Sequence, residues 1–278
     1  MKNKGGIGMK KRSVFLSFLL VGSLLPGVSS ASAPVASAGH GHDHGHAPFE
    51  THISEGLPKA KDFKDLTTAP PIERDVTTKV LDESGKQVGS RTFKANTGDS
   101  ISTKASTGSQ KVTVYAVADA QYRAKYSDWQ TRIVSIIEQA DVTFNRDHDV
   151  DFVVQAVGSW TSSGSNAEQI LSNLARSFDG RGYDFVTGFT ANPNFDAGGI
   201  AYVYNSAPSG SAFAVNLDQG TANTAKAATH EYGHNFGLPH DPQGSGIVCL
   251  MNYDYSYTVD FFDAAHKNQV NRNKAWYR

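Results

Sequence analysis

The chain predicts an α/β domain over its C-terminal two thirds, and three features of the sequence carry that expectation. Strand-like and helix-like runs alternate from residue 111 onward, the apolar residues of the first helical run share one face, and a short irregular tail closes the chain. Residues 111–117, Lys-Val-Thr-Val-Tyr-Ala-Val, read as the first strand. Residues 126–144 read as an amphipathic helix with Trp129, Ile133, Ile136, Ile137 and Ala140 on one side. A strand over 151–157, a helix over 167–178 and strands over 184–190, 199–204 and 212–217 follow. Helices over 224–236 and 263–274 complete the set.

The first hundred residues have a different texture. Lys2, Lys4, Lys10, Lys11 and Arg12 precede an apolar run over 14–25, and small residues follow it at Ala31-Ser32-Ala33 and Ala36-Ser37-Ala38. That is the layout of a secretory signal peptide, and Met9 with its own three basic residues could also begin it. Pro34 disfavours cleavage after Ala33, so residues 1–38 are assigned to the signal. Residues 39–104 are polar, with one hairpin signal over 77–93 turning at Glu83-Ser84-Gly85, and are expected to be a propeptide. The catalytic domain is expected over 105–278, in an extracellular, secreted protein.

Composition narrows the partners. Lys and Arg total 26 against 27 acidic residues, so nothing favours nucleic acid or an anionic membrane once the signal is gone. With one cysteine, Cys249, no internal disulfide can form, and stability must come from core burial and bound ions. A buried thiol is expected.

The chemistry concentrates in His230-Glu231-Tyr232-Gly233-His234-Asn235-Phe236-Gly237-Leu238-Pro239-His240-Asp241. His230 and His234, four apart on a helix, present their imidazoles on one face. His240 joins them only if the helix stops, and Gly237 supplies a left-handed stop while Pro239 holds the chain extended. Three imidazoles with one open position make a catalytic zinc arrangement, whereas a structural site would close all four. Glu231 lies beside the first ligand, placed to take a proton from a zinc-polarised water and return it to the departing amine. A metal-storage protein would not need that carboxylate, and a catalytically dead module would have lost it or a histidine.

His-Glu-x-x-His-x-x-Gly-x-x-His is the metzincin signature, and Asp241 after it resembles the adamalysin (reprolysin) branch. The resemblance covers roughly residues 111–278 and is strongest to short secreted metallopeptidases of Gram-positive bacteria. It implies a five-stranded mixed twisted sheet with packed helices and an active-site helix, a cleft across the middle, and a small C-terminal subdomain after Gly237. Cys249-Leu250-Met251-Asn252-Tyr253 is similar to the family's methionine-bearing turn beneath zinc, and 198–203 to the edge strand that receives substrate. The cysteine before that turn is disulfide-bonded in animal adamalysins; here it has no partner. Tyr253, two residues after the methionine, resembles the astacin and serralysin tyrosine, so it is either a zinc or oxyanion contact or a packing residue, and the sequence leaves both open.

The resulting expectation is a zinc-dependent endopeptidase, made as a zymogen and acting as a monomer on proteins and peptides. The site consists of metal ligands His230, His234 and His240 with catalytic Glu231 and Tyr253. Structural calcium is a second candidate ion at Asp147, Asp149 and Asp151, although a solvated turn explains that alternation more simply. The histidines of 40–46 could also bind metal as an accessory. On latency, a propeptide that blocks the cleft sterically, or only assists folding, ranks first. Asp99 on zinc, or those histidines, are the alternatives. His148 and His266 are left as structural or surface residues.

Overall fold

A computed structural model describes residues 51–62, 72, 74–95 and 110–277. The signal segment, the histidines of 40–46, Asp99 and the expected cleavage point near residues 104–105 lie outside the described residues. In chain order the described elements begin with β1 (His52–Ile53), β2 (Val76–Leu81), β3 (Gln87–Phe93), β4 (Gln110–Asp119), α1 (Ala120–Lys125) and α2 (Trp129–His148). They continue with β5 (Val150–Trp160), α3 (Ala167–Phe178), β6 (Phe185–Thr190), β7 (Gly199–Val203), β8 (Ala212–Leu217), α4 (Thr221–Asn235) and α5 (Ala264–Asn273). No helix among them is long and apolar enough to cross a membrane.

The sheet has eight strands, in the order β1-β7-β8-β6-β4-β5-β2-β3, and this corrects the expected five. The five strands from 110 to 217 are adjacent and mixed, with β7 antiparallel to its parallel neighbours. The other three come from residues 52–93. β1 adds antiparallel to β7 at one edge, and at the other β2 adds parallel to β5 and β3 closes the hairpin. An edge strand offers a row of unpaired N–H and C=O groups, and N-terminal segments fill both edges here. The hairpin is legible in sequence; the edge it chooses is a tertiary fact.

Along β4 the side chains alternate between two buried faces. Val112, Val114, Ala116 and Ala118 pack with Ile133, Ile136, Ile137 and Ala140 of α2 and with Tyr232 and Phe236 at the end of the active-site helix. Tyr115 and Val117 pack with Ile170, Leu171, Leu174 and Phe178 of α3. Each buried valine, leucine, isoleucine or phenylalanine among them contributes about 1.5–3 kcal/mol by leaving water, and α2 and α4 pack on one face of the sheet with α3 on the other.

The first long helix starts and ends later than its apolar pattern suggests. Tyr126 is extended (φ −128°, ψ 111°) and ends α1, and its ring lies 3.8 Å from the guanidinium carbon of buried Arg132. α2 then runs from Trp129 until Asp149 turns left-handed at φ 56°. A cation–π contact, invisible to periodicity, spans the break.

Candidate metal centre

α4 carries His230 and His234 one turn apart, and its end is a Schellman motif. Gly237 sits at φ 84°, its N–H donates to His234 O at 2.8 Å, and the Leu238 N–H donates to Gly233 O at 3.0 Å. A Cβ at Gly237 would stand 2.6 Å from the carbonyl of Tyr204, so glycine is required there sterically as well. The chain then reverses and delivers His240 to the other two.

The three imidazoles converge through Nε2, with His240 Nε2 at 3.1 Å from that of His230 and 2.9 Å from that of His234. His230 Nδ1 donates to Leu250 O and His234 Nδ1 donates to Leu238 O, each at 2.7 Å. Those carbonyls fix the proton on Nδ1, so the Nε2 lone pairs of His230 and His234 both face His240. Burial disfavours protonation of all three, and at His234 and His240 repulsion from the neighbouring imidazoles adds to it. His230 falls to about 4, His240 to about 3, and His234 lies well below the usual histidine value. Converging neutral nitrogens, two of them on rings held by backbone carbonyls, fit a divalent cation such as zinc.

Glu231 is fully buried and neither carboxylate oxygen has a hydrogen-bond partner. Burial raises its pKa well above the usual carboxylate range. It lies under β7, where a Cβ at Gly199 would stand 2.5 Å from Oε1. Tyr253 stacks against the ligands, its ring centroid 4.3 Å from that of His240, and its hydroxyl donates to Glu55 O at 2.6 Å. Burial raises its phenol pKa, and the charge of Glu231 adds to the effect. Met251 is buried beneath α4, where a Cβ at Gly233 would lie 2.7 Å from its sulfur.

An extended stretch of the chain crosses this centre. Ser54 N donates to Ala201 O at 2.8 Å, Leu57 N to Gly199 O at 2.9 Å, and Gly198 N to Leu57 O at 2.6 Å. Leu57 is 1% exposed. Beyond it, Tyr257 donates its hydroxyl to Pro58 O at 2.8 Å, and Ala60 N donates to Gln219 Oε1 at 2.6 Å.

The structure therefore brings His230, Glu231, His234, His240 and Tyr253 to one place. Two of the three candidate calcium carboxylates meet cations: Asp147 meets Arg146 and Lys267, and Asp151 meets Arg74. Hydrogen bonding from Arg146 holds Asp147 at about 2. His148 is structural, with Nδ1 at 3.1 Å from Asn271 Oδ1. Gln219 and Tyr257 lie outside the motif, and no spacing rule joins His266 to Asp241, Cys249 and Asp263, which come from three separate stretches of the chain.

Fold and site together point to one family of proteins. The chain belongs to metallopeptidase family M12, whose reprolysin-type model matches residues 108–267, more than half of its length. Its fold is mixed α/β, and the zinc used by this family has a fitting group in His230, His234 and His240. A search of curated protein sequences gives no match. Among solved structures, metalloproteinase-II from Bacteroides fragilis aligns at 12% identity and a TM-score of 0.45, over 58% of this chain and 52% of that one. A chaperone–substrate complex aligns at 12% identity and 0.43, over 73% of this chain and 41% of that one. The chain thus spans about half or less of the length of either structure.

Proposed function

We propose that the protein is the secreted precursor of an endopeptidase, with His230, His234 and His240 as zinc ligands and Glu231 as general base. The observation that carries this reading is the pairing of an extended peptide, residues 54–57, with β7 directly above Glu231 and the three histidines. A substrate would lie as this segment does, since main-chain pairing to an edge strand accepts any extended sequence. Zinc, when bound, would polarise the scissile carbonyl and acidify a water. Glu231 then receives the proton of the attacking water and passes it to the leaving nitrogen. Its depth favours holding that proton between the two events. The Tyr253 hydroxyl donates to the carbonyl oxygen as negative charge develops there.

The same geometry supports latency by steric blocking. Residues 54–60 fill the place a substrate needs and must leave before turnover. On this reading residues 1–38 are the signal, 39–104 the propeptide and 105–278 the mature, monomeric enzyme acting on extracellular proteins. A second reading keeps the β2–β3 hairpin with the mature enzyme after cleavage, because Val76 and Phe93 are buried in the core shared with α2. Digestion of casein by the processed secreted form, with and without a zinc chelator, tests the function. Chelator-sensitive cleavage is expected, and activity that survives metal removal would refute the reading. N-terminal sequencing and intact mass of that form separate the two accounts of the hairpin.

A further inference from the structure

Asp241, Cys249, Asp263 and His266 arrive from three stretches of the C-terminal region, and one ligand-type atom from each lies within 4.8 Å of all the others. His266 Nδ1 stands 3.3 Å from Cys249 Sγ, 3.2 Å from Asp263 Oδ2 and 3.5 Å from Asp241 Oδ2. An imidazole nitrogen carries at most one proton, so it can serve only one of these three acceptors. The thiol has one proton more, but Sγ already accepts from the backbone N–H groups of Met251 and Asp263. Asp241 Oδ2 is buried on a side chain only 10% exposed, and among the described residues no donor reaches it in good hydrogen-bond geometry, only the thiol of Cys249 and the carboxyl of Asp263 competing for it. Two carboxylates, a thiol and an imidazole turned inward on one point are poorly satisfied by each other's protons.

A cation at that point satisfies all four. Ligand atoms about 2.0–2.3 Å from a tetrahedral zinc stand roughly 3.2–3.8 Å from one another. The three contacts of His266 Nδ1 fall at 3.2–3.5 Å, comparable with the 2.9 and 3.1 Å of the three-histidine group. We propose that Asp241, Cys249, Asp263 and His266 form a second zinc site, structural in role. Sulfur and imidazole donors select zinc over calcium or magnesium, and four protein ligands leave no open position for chemistry. Burial holds the thiol up at about 12, so it stays protonated without metal. Binding exchanges that proton for a zinc–sulfur bond and releases H⁺.

The site's position gives it a task. Asp241 follows His240, Cys249 precedes Leu250, whose carbonyl orients His230, and Asp263 and His266 begin α5. One ion would staple the segments that deliver the third histidine, orient the first and anchor the tail. A chain with a single cysteine has no disulfide to do this.

The proposal does not depend on the three-histidine group. Because Cys249 is the chain's only cysteine, sulfur-to-cobalt charge transfer in the near ultraviolet reports this site alone. The purified full chain should carry two zinc ions, and after exchange into cobalt it should show that band. His230→Ala with His234→Ala should lose one ion and keep the band, and Cys249→Ser should lose one ion and the band. A cobalt-loaded parent without the band would overturn the proposal even if Cys249→Ser failed to fold. Absence of metal from the three-histidine group, with the band retained, would sink the proposed catalytic centre and leave this one standing.

Discussion

The hydroxyl of Tyr253 donates to the carbonyl of Glu55 at 2.6 Å, joining the stack beside His240 to a segment 198 residues upstream. A tyrosine that meets a peptide carbonyl beside the metal ligands is placed as an oxyanion donor would be. Tyr253→Phe in the processed enzyme should lower kcat roughly 10- to 1000-fold with little change in KM. Steady-state kinetics on a fluorogenic peptide decide it, and an unchanged kcat would leave Tyr253 as a packing residue.

The blocking segment should also act in trans. A synthetic peptide of residues 51–62 should inhibit the processed enzyme competitively, by pairing with β7 as it does in the intact chain. Leu57 is 1% exposed and is its main apolar anchor. Losing burial worth about 1.5–3 kcal/mol should weaken a Leu57→Asp peptide roughly 10- to 150-fold. Equal inhibition by both peptides would show that Leu57 does not anchor it.

Gly199 faces Glu231, and a methyl group there would fall 2.5 Å from Oε1, 2.8 Å from Cγ and 3.0 Å from Cδ. Either β7 or the carboxylate has to move. Since about 1 Å of misplacement can cost on the order of 100-fold in rate, Gly199→Ala should lose about 10- to 100-fold in kcat/KM. Zinc content and the circular dichroism spectrum should stay as in the parent. Full activity would mean that Glu231 works from a position other than the one described.

Much of this was legible from residues alone, and the exceptions have a common cause. The spacing of His230, His234 and His240 around Gly237 is local chain geometry, so pattern and physics coincide there. α3 and β8 match their sequence boundaries for the same reason: amphipathic period and alternation are local properties. The strand count was missed because three strands join by edge pairing across the chain. The grouping of Asp241, Cys249, Asp263 and His266 likewise depends on how the tail folds back. The start of α2 was misplaced where a contact between Arg132 and Tyr126 spans the break, which hydrophobic period does not encode.

Glu231 provides the sharpest separation of metal binding from chemistry. Among the described residues its oxygens accept no hydrogen bond, and burial raises its pKa, so no described hydrogen bond is lost when the carboxylate is replaced. Glutamine has nearly the same shape but cannot accept and return a proton. Glu231→Gln should therefore keep the parent's zinc count and melting temperature while activity falls roughly 10²- to 10⁴-fold. His234→Ala should contain one zinc fewer and lose activity as well, because its Nε2 is one of the three converging donors. Metal analysis by mass spectrometry alongside turnover of a peptide substrate reads both variants. Near-parental activity in Glu231→Gln would refute the assigned base, and an unchanged zinc count in His234→Ala would refute the assigned ligand.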